Sequence, residues 1–214
     1  MKKASTIIVA LAVLAAGTFK PGSAHAQNAQ GQTVITGGAG FSLAGILFTL
    51  IKDALNSSNV TSKTTPVIGG MVDYGISDHF SLGGAYTYQS VSASYTSYTK
   101  DTITYTGNFK DKISRQNFGV RPLFHFGSNE NFDTYAGARL SYTIWKYTSN
   151  ARTDVSSTDF SGTSRIHFQA LFGMRYFFTE NIGFNFEAAV GPSYYAFFGI
   201  NARFGSIGQN SPRK

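Results

Sequence analysis

The feature that most constrains the fold is an alternation of apolar residues with small or polar ones, sustained over 10 to 13 residues. In Arg165–Phe177 every second residue is apolar or aromatic, whereas Arg, His, Gln and Gly dominate the positions between them. Ile182–Gly191 repeats the pattern. Successive side chains of a β-strand point to opposite faces, so this period predicts strands with one apolar face. The length is also that of a tilted strand that crosses a bilayer.

Eight segments carry the alternation, and short turns and longer linkers connect them in turn. The predicted strands are Thr33–Phe41, Thr64–Ile76, Phe80–Tyr98, Thr102–Phe126, Thr134–Tyr147, Thr163–Phe177, Ile182–Gly191 and Ala196–Phe204. Three short turns, about 50 residues apart, begin at Ser77, Asn129 and Thr179, and their hydroxyl, amide and acidic side chains favour tight turns. Short connections that alternate with long ones predict an antiparallel up-and-down barrel of eight strands.

The composition of the two strand faces distinguishes a membrane barrel from a soluble one. In a soluble barrel the apolar face packs inward, and the other face carries solvated Lys and Glu. Here the second face is mainly Gly, Ser, Thr and Arg, with hardly any Lys, which suits the narrow interior of an eight-stranded barrel. The face rich in Phe, Tyr, Leu, Ile and Val would then contact lipid. The pattern favours an all-β transmembrane barrel over a soluble lipocalin-like one.

The N-terminus predicts export. Lys2 and Lys3 precede the apolar run Ile7–Ala16, and Ala24–Ala26 provides the small residues that signal peptidase accepts. Ten apolar residues are too few for a membrane-spanning helix, which needs about 20. An uncleaved anchor or a disordered tail is the alternative. The predicted division of the chain is a signal peptide at 1–26, a barrel at 27–204 and a flexible C-terminal tail at 205–214.

The composition also excludes several kinds of site. The sequence has no Cys, so disulfides and thiolate metal sites are excluded. Without the predicted signal the chain has 15 basic and 11 acidic residues, a net charge of +4, and the scattered basic residues disfavour nucleic-acid binding. No later stretch holds 18 consecutive apolar residues. The sequence shows neither a metal-ligand spacing nor a Gly-rich phosphate loop, so we predict no metal and no cofactor.

Four segments carry a family resemblance through the placement of their Gly and aromatic residues: Gly37–Ser42, Pro66–Tyr88, Tyr135–Ala138 and Tyr176–Val190. They resemble the small OmpA/OmpX-like outer-membrane barrels of Gram-negative bacteria, in particular the outer membrane protein beta-barrel domain group. The resemblance implies a monomer surrounded by outer-membrane lipids, with short turns in the periplasm and long loops outside. Pro122 departs from the pattern because it removes a ladder hydrogen bond, so we predict a bulge or distortion there.

Six charged residues are predicted to face the barrel interior. They are Asp73, Arg121, Arg139, Arg175, Glu187 and Arg203. Arg175 and Arg203 would lie nearer the periplasmic end, whereas the other four lie five or six residues from a short turn and would share one level. An unpaired buried charge costs several kcal/mol, so these charges must be paired. Two acids against four arginines leave two interpretations: a structural ionic plug, or a narrow conduit that prefers anions.

The segment Ser42–Asn56 breaks the strand pattern. From Leu43 onward its apolar residues recur at i, i+3, i+4 and i+7, which predicts a short amphipathic helix. Ser42 suits the N-cap of this helix and Asn56 suits its end. The predicted topology puts the helix in the first extracellular loop, where it would lie in the membrane interface or fold over the barrel mouth.

Two extracellular segments, Ser92–Ser114 and Lys146–Gly162, are rich in Ser, Thr and Tyr. The alternation continues partly through the first segment, so this hairpin would project from the membrane as a sheet. Tyr95, Tyr98 and Tyr105 are its candidate contact residues. Exposed strand edges and aromatic side chains suit a partner that adds a strand, and solvated loops without a partner are the alternative.

The histidines offer little support for catalysis. His79 lies in a short turn and His125 near the periplasmic end, whereas His167 lies near the outer end of its strand and close in sequence to Asp159, Ser161 and Ser164. A Ser–His pair there would suit a lipid-modifying enzyme. We expect instead a non-enzymatic barrel with a structural or adhesive role, which binds an extracellular protein or surface ligand through its loops. A narrow passive pore for small anionic solutes is the alternative.

Overall fold

The computed structural model describes residues 30–42, 60–100, 102–126, 131–150 and 165–205. These residues form nine strands, all paired in an antiparallel manner. The strands are β1 (Thr33–Phe41), β2 (Val60–Thr64), β3 (Val67–Ser77), β4 (Phe80–Lys100), β5 (Ile103–His125), β6 (Phe132–Ser149), β7 (Arg165–Phe177), β8 (Ile182–Val190) and β9 (Ala196–Phe204).

The strands close into one barrel. From β3 to β9 each strand pairs with its neighbours in the chain, and β1 lies between β3 and β9, with Thr33 opposite both Tyr74 and Phe204. The short β2 and the longer β3 pair with successive parts of β4, so together they occupy one position in the wall. The barrel therefore has eight positions, and the predicted eight-stranded antiparallel barrel is confirmed.

The two prolines within the predicted strands interrupt the wall in different ways. The strand predicted at Thr64–Ile76 is divided at Thr65–Pro66, because Pro66 has no N–H to donate to the ladder. At Pro122 the ladder between β5 and β6 stops after Val120 and resumes at Leu123 opposite Gly137. The register is the same on both sides, so the distortion predicted at Pro122 is a gap in pairing and not a bulge.

The barrel is polar inside and apolar outside, which reverses the usual distribution of a soluble protein. Large apolar side chains on the outward face are exposed, most of all at Phe41 (62%), Ile166 (70%) and Phe168 (62%). Charged side chains on the inward face are buried, including Arg121 and Glu187 at 0% exposure. This is the arrangement that the alternation of the sequence predicts.

Several predicted features lie outside the described residues. They are the signal peptide at 1–26, the helix that would follow Ser42, most of the loop after Asn150, and the tail after Gly205. Ser42 itself is described, and its hydroxyl donates a hydrogen bond to Oε1 of Gln89 inside the barrel mouth (2.9 Å). Across the described ranges, no helix is both long and apolar enough to cross a membrane.

Candidate functional site

The interior of the barrel holds a cluster of paired charges around Glu187, which projects inward from β8. One carboxylate oxygen, Oε2, lies 2.5 Å from Nη2 of Arg121, and the other, Oε1, lies 3.3 Å from Nη2 of Arg139. The Tyr135 hydroxyl donates to Oε2 (2.7 Å), and the Tyr194 hydroxyl donates to Oε1. Glu187 is fully buried, so these four donors replace the water that its charge would otherwise bind.

A second carboxylate, Asp73 on β3, joins this cluster to the half of the lumen nearer the short turns. Its Oδ1 lies 3.1 Å from Nε of Arg121, and its Oδ2 accepts a hydrogen bond from Arg175 on β7. The other terminal nitrogen of Arg175, Nη1, lies 3.6 Å from Asp133 on β6. The guanidinium of Arg175 also stacks over the ring of Tyr135, 4.7 Å from its centroid. Charges from β3, β5, β6, β7 and β8 thus form one continuous chain across the lumen.

The loop between β8 and β9 closes the outer side of this cluster. Ser193 and Tyr194 on this loop are fully buried, and the Tyr194 hydroxyl accepts a hydrogen bond from Arg139 as well as donating to Glu187. Arg115 on β5 holds the loop in place, since its two terminal nitrogens donate to the backbone carbonyls of Pro192 and Ser193, both at 2.6 Å. The loop therefore enters the barrel mouth instead of standing above it.

A Ser–His–Asp arrangement lies at the end of the lumen that carries the short turns. Oγ of Ser81 is 2.8 Å from Nε2 of His125, and Nδ1 of His125 is 2.9 Å from Oδ1 of Asp133. This is the order of a nucleophile, a base and an orienting acid. However, Ser81 and His125 are completely buried, and the ring of Tyr135 packs 5.7 Å from that of His125. The geometry suits a clamp between β4, β5 and β6 better than a site that must admit a substrate.

The structure brings five of the six predicted lumen charges together: Asp73, Arg121, Arg139, Arg175 and Glu187. Arg203 lies nearer the end with the short turns, where it donates to the backbone carbonyl of Glu180 (2.8 Å from Nε) and stacks over Phe177. Asp133 and Arg115 are buried in the lumen as well, and they were missing from the predicted set of two acids and four arginines. The described lumen holds three buried carboxylates and five arginines.

Large side chains fill the lumen around these charges. The largest fully buried residues of the described chain are Arg121, Arg139, Arg175, Tyr135, Tyr194, Phe177, Phe197, Met71, Leu123, His125, Gln32 and Gln169. Their packing joins the apolar contacts of Met71, Leu123 and Phe197 to the ionic cluster. Such an interior can hold the wall in one register and block the passage of solutes, and both effects follow from the same contacts.

The outer end of the barrel continues as a sheet of β2, β4, β5 and β6. Tyr95 on β4 lies opposite Phe109 on β5, with ring centroids 5.7 Å apart, and its hydroxyl donates to Asp111 (3.0 Å). The pairing shifts register just beyond Tyr95, and a cavity of about 460 Å³ opens there. Tyr105 is 41% exposed, whereas the side chain of Tyr98 lies outside the described part. Two of the three predicted contact residues are therefore described on this sheet.

His167 lies at the outer end of the lumen, as the sequence suggests. Its Nε2 is 2.7 Å from the hydroxyl of Thr143, which also bonds Asn117. Asp159, Ser161 and Ser164, the residues considered as its catalytic partners, lie outside the described residues. Within the described ranges, no group of three or more His, Asp and Glu residues is arranged to hold a metal ion.

Comparison with known proteins gives one family match. A family model described as "Outer membrane protein beta-barrel domain" matches residues 8–204. No curated protein matches the chain.

Several solved structures are similar to the chain at low identity. The attachment invasion locus protein Ail of Yersinia pestis is 10% identical, with 82% of this chain and 99% of that chain covered and a TM-score of 0.45 in its complex with a heparin analogue. The outer membrane protein OprG of Pseudomonas aeruginosa is 12% identical, with coverages of 83% and 98% and a TM-score of 0.49. For the N-terminal barrel domain of OprF from Pseudomonas aeruginosa the identity is 16%, the coverages are 82% and 98%, and the TM-score is 0.42.

Proposed function

The chain belongs to the outer membrane protein β-barrel domain family, whose model covers most of it, and from that premise we propose that it is a non-conducting barrel that binds a partner at the cell surface. The barrel spans the outer membrane with its short turns in the periplasm. Its lumen is closed to solutes, and the sheet of β2, β4, β5 and β6 contacts the partner outside. The role is binding or structural and involves no catalysis.

The filled lumen is the observation that carries this proposal. A pore needs a continuous water-filled path, and porins with such a path have 16 or more strands. Here two arginines, Tyr135 and Tyr194 of the inturned loop meet around Glu187, and these side chains are fully buried. The arginines outnumber the carboxylates, which would favour anions in a conduit, yet their guanidiniums already bond carboxylates, backbone carbonyls and aromatic faces. The charge surplus thus stabilises the closed wall and the loop that enters it.

The length of β4 and β5 supports a role outside the membrane. A tilted strand crosses the hydrocarbon region in about 9–11 residues, whereas β4 has 21 residues and β5 has 23. The additional residues keep antiparallel pairing, with Ser94 opposite Lys110 and Lys100 opposite Ile103. In the described residues β2 pairs only with β4. A regular sheet that presents tyrosines and an edge strand suits a partner that adds a strand or packs on the aromatic rings.

The closed lumen also argues against an enzymatic function. The Ser81–His125–Asp133 arrangement is completely buried, so a substrate could not approach Ser81 without opening the lumen. His167 is paired with Thr143, whose hydroxyl bonds a second side chain. A nucleophile must present its lone pair to the substrate, and neither arrangement does so.

We expect no steady conductance from the folded chain in planar bilayers. The Arg121→Gln/Arg139→Gln variant should also show no conductance, because Tyr135, Tyr194 and Met71 still fill the cross-section of the lumen. The exposed Arg165→Gln is the matched control for loss of a cation. The pore would be established instead if the wild type showed anion-selective conductance steps that became smaller in the double variant but not in the control.

Loss of two aromatic rings from the extracellular sheet should reduce attachment. We expect Tyr95→Ala/Tyr105→Ala to lower the attachment of displaying cells to cultured epithelial cells by about 30-fold, because two aromatic contact residues that contribute about 1 kcal/mol each together change the affinity by about that factor. Tyr74→Ala/Tyr176→Ala removes two exposed rings at the opposite end of the barrel and should leave attachment unchanged. Equal attachment by all three forms, at equal surface levels, would reject a partner-binding role for the sheet.

A further inference from the structure

Four lysines lie together on the outward face of the extracellular sheet. They are Lys63 on β2, Lys110 and Lys112 on β5, and Lys146 on β6, and all four are exposed. We call this group the lysine wall. The strand registers place its members side by side: Ser92 lies opposite both Lys63 and Lys112, and Ser114 lies opposite Lys146. Every lysine whose side chain is described belongs to this group.

The lysine wall begins directly above the apolar band of the barrel. The outermost apolar residues on this face are Ile68, Tyr88 and Ile144, and they lie in one row across the strands. Tyr88 is opposite both Ile68 and Gln116, and Gln116 is opposite Ile144. Lys146 follows Ile144 by two residues on β6, so its side chain is on the same face. Two residues of a tilted strand rise about 5 Å, and the polar layer of a bilayer is about 5–8 Å deep on each side. Lys146 therefore lies in the headgroup layer, and the other lysines lie further out.

No carboxylate shares this face within the described residues. Asp111 lies between Lys110 and Lys112 in sequence, but it points to the opposite face and accepts the hydroxyl of Tyr95. Lys112 lies within hydrogen-bonding reach of the Tyr88 hydroxyl at the upper limit of the apolar band. The positive charge of the wall is thus left for a partner of opposite charge, and this partner must lie beside the barrel at the level of the lipid headgroups.

We propose that the lysine wall binds the phosphate groups of phosphorylated glycolipids in the outer leaflet. The inference rests on the membrane placement in the proposed function, and does not depend on the extracellular partner. Each lysine near an anionic membrane surface gains roughly fivefold in affinity. Because the four lysines continue the lipid-facing surface, a lipid that packs its chains on Tyr88 and Ile144 brings its headgroup to Lys112 and Lys146 without leaving the bilayer.

The cavity beside the wall suits the sugar part of such a lipid. Thr61, Ser94, Asn108, Lys110 and Asn150 line it, together with Tyr95, Thr96 and Phe109. Hydroxyl and amide groups can bond sugar hydroxyls, and Lys110 belongs to both the cavity and the wall. The ligand class is accordingly a membrane-anchored phosphorylated sugar and not inorganic phosphate alone.

The test uses the folded full-length chain in phosphatidylcholine bilayers doped with a bisphosphorylated disaccharide lipid or with its dephosphorylated form. The lipid that remains bound after detergent extraction is quantified by native mass spectrometry. We expect the wild type to retain the phosphorylated form about 25-fold better, at roughly fivefold for each of the two lysines that the headgroup reaches, and we expect added salt to reduce this preference. The Lys63→Gln/Lys110→Gln/Lys112→Gln/Lys146→Gln variant should lose it, whereas the exposed Arg165→Gln control should keep it.

Other outcomes separate the alternatives. Equal retention of the two lipids by the wild type, or an undiminished preference in the quadruple variant, overturns the proposal. If inorganic phosphate or a soluble sulfated polysaccharide displaces the lipid completely at equal charge concentration, the wall is a general anion surface and the glycolipid assignment is wrong. A normal heat-shifted electrophoretic mobility of the variant shows that the barrel is folded. The attachment and conductance measurements test the proposed function separately, because they leave all four lysines in place.

Discussion

The substitution Glu187→Gln is expected to lower the free energy of unfolding by about 3–5 kcal/mol, because it leaves two buried arginines without their shared carboxylate. Arg121 and Arg139 both pair with Glu187 and are fully buried. The neutral amide retains the size of the side chain, so the loss reports charge and hydrogen bonding and not a cavity. Unfolding by denaturant in lipid vesicles, followed through the fluorescence of Trp145, the only tryptophan, measures the effect.

Glu180→Gln is the matched control for this substitution. Glu180→Gln is the same chemical change in an exposed turn, where Arg203 bonds the backbone carbonyl of residue 180, which the substitution keeps. We expect a change below about 0.5 kcal/mol there. A double variant with Arg139→Gln should recover part of the loss from Glu187→Gln, since the surplus cation is removed together with the acid. If Glu187→Gln and Glu180→Gln behave alike, the ionic cluster contributes no net stability.

The barrel and the central contacts of its lumen follow from two regularities of the sequence. A period of two separates the inward from the outward face, and three similar short turns set the register between strands. Residues at comparable distances from those turns must then meet, which is why Asp73, Arg121, Arg139 and Glu187 were expected at one level. The same parity also puts Asp133 and Arg115 inside. Asp133 was missed because it is the second residue of β6, and Arg115 because it directly follows the segment Ser92–Ser114, whose Ser and Thr residues make the inward face less distinct.

The features that escaped prediction depend on tertiary contacts. Tyr194 lies in a short connection with no periodic pattern, and it enters the lumen because Arg115 and Gln169 bond the backbone of its loop. The break between β2 and β3 had a local signal in Pro66, yet the pairing of β2 with the outer part of β4 depends on how far β4 extends.

The substitution Gly173→Ala is expected to destabilise the barrel by about 1–3 kcal/mol or more through steric overlap. Gly173 on β7 lies opposite Tyr135 on β6, and the ring of Tyr135 packs directly over it. An added Cβ would lie 2.2 Å from Cζ and 2.4 Å from the hydroxyl oxygen of Tyr135. The ring would have to move, and its hydrogen bonds to Glu187 and Asn185 would weaken with it.

Gly84→Ala makes the same chemical change at a position where an added Cβ meets nothing within 4 Å. Gly84 lies on the exposed face of β4, so its substitution should be neutral or slightly stabilising, because Ala reduces the entropy of the unfolded chain. Denaturant unfolding of the two variants isolates the contact with Tyr135 from the general effect of replacing a strand glycine. If Gly173→Ala proves as harmless as Gly84→Ala, the close packing of Tyr135 on β7 is wrong, and the lumen has room that the proposal of a closed barrel denies.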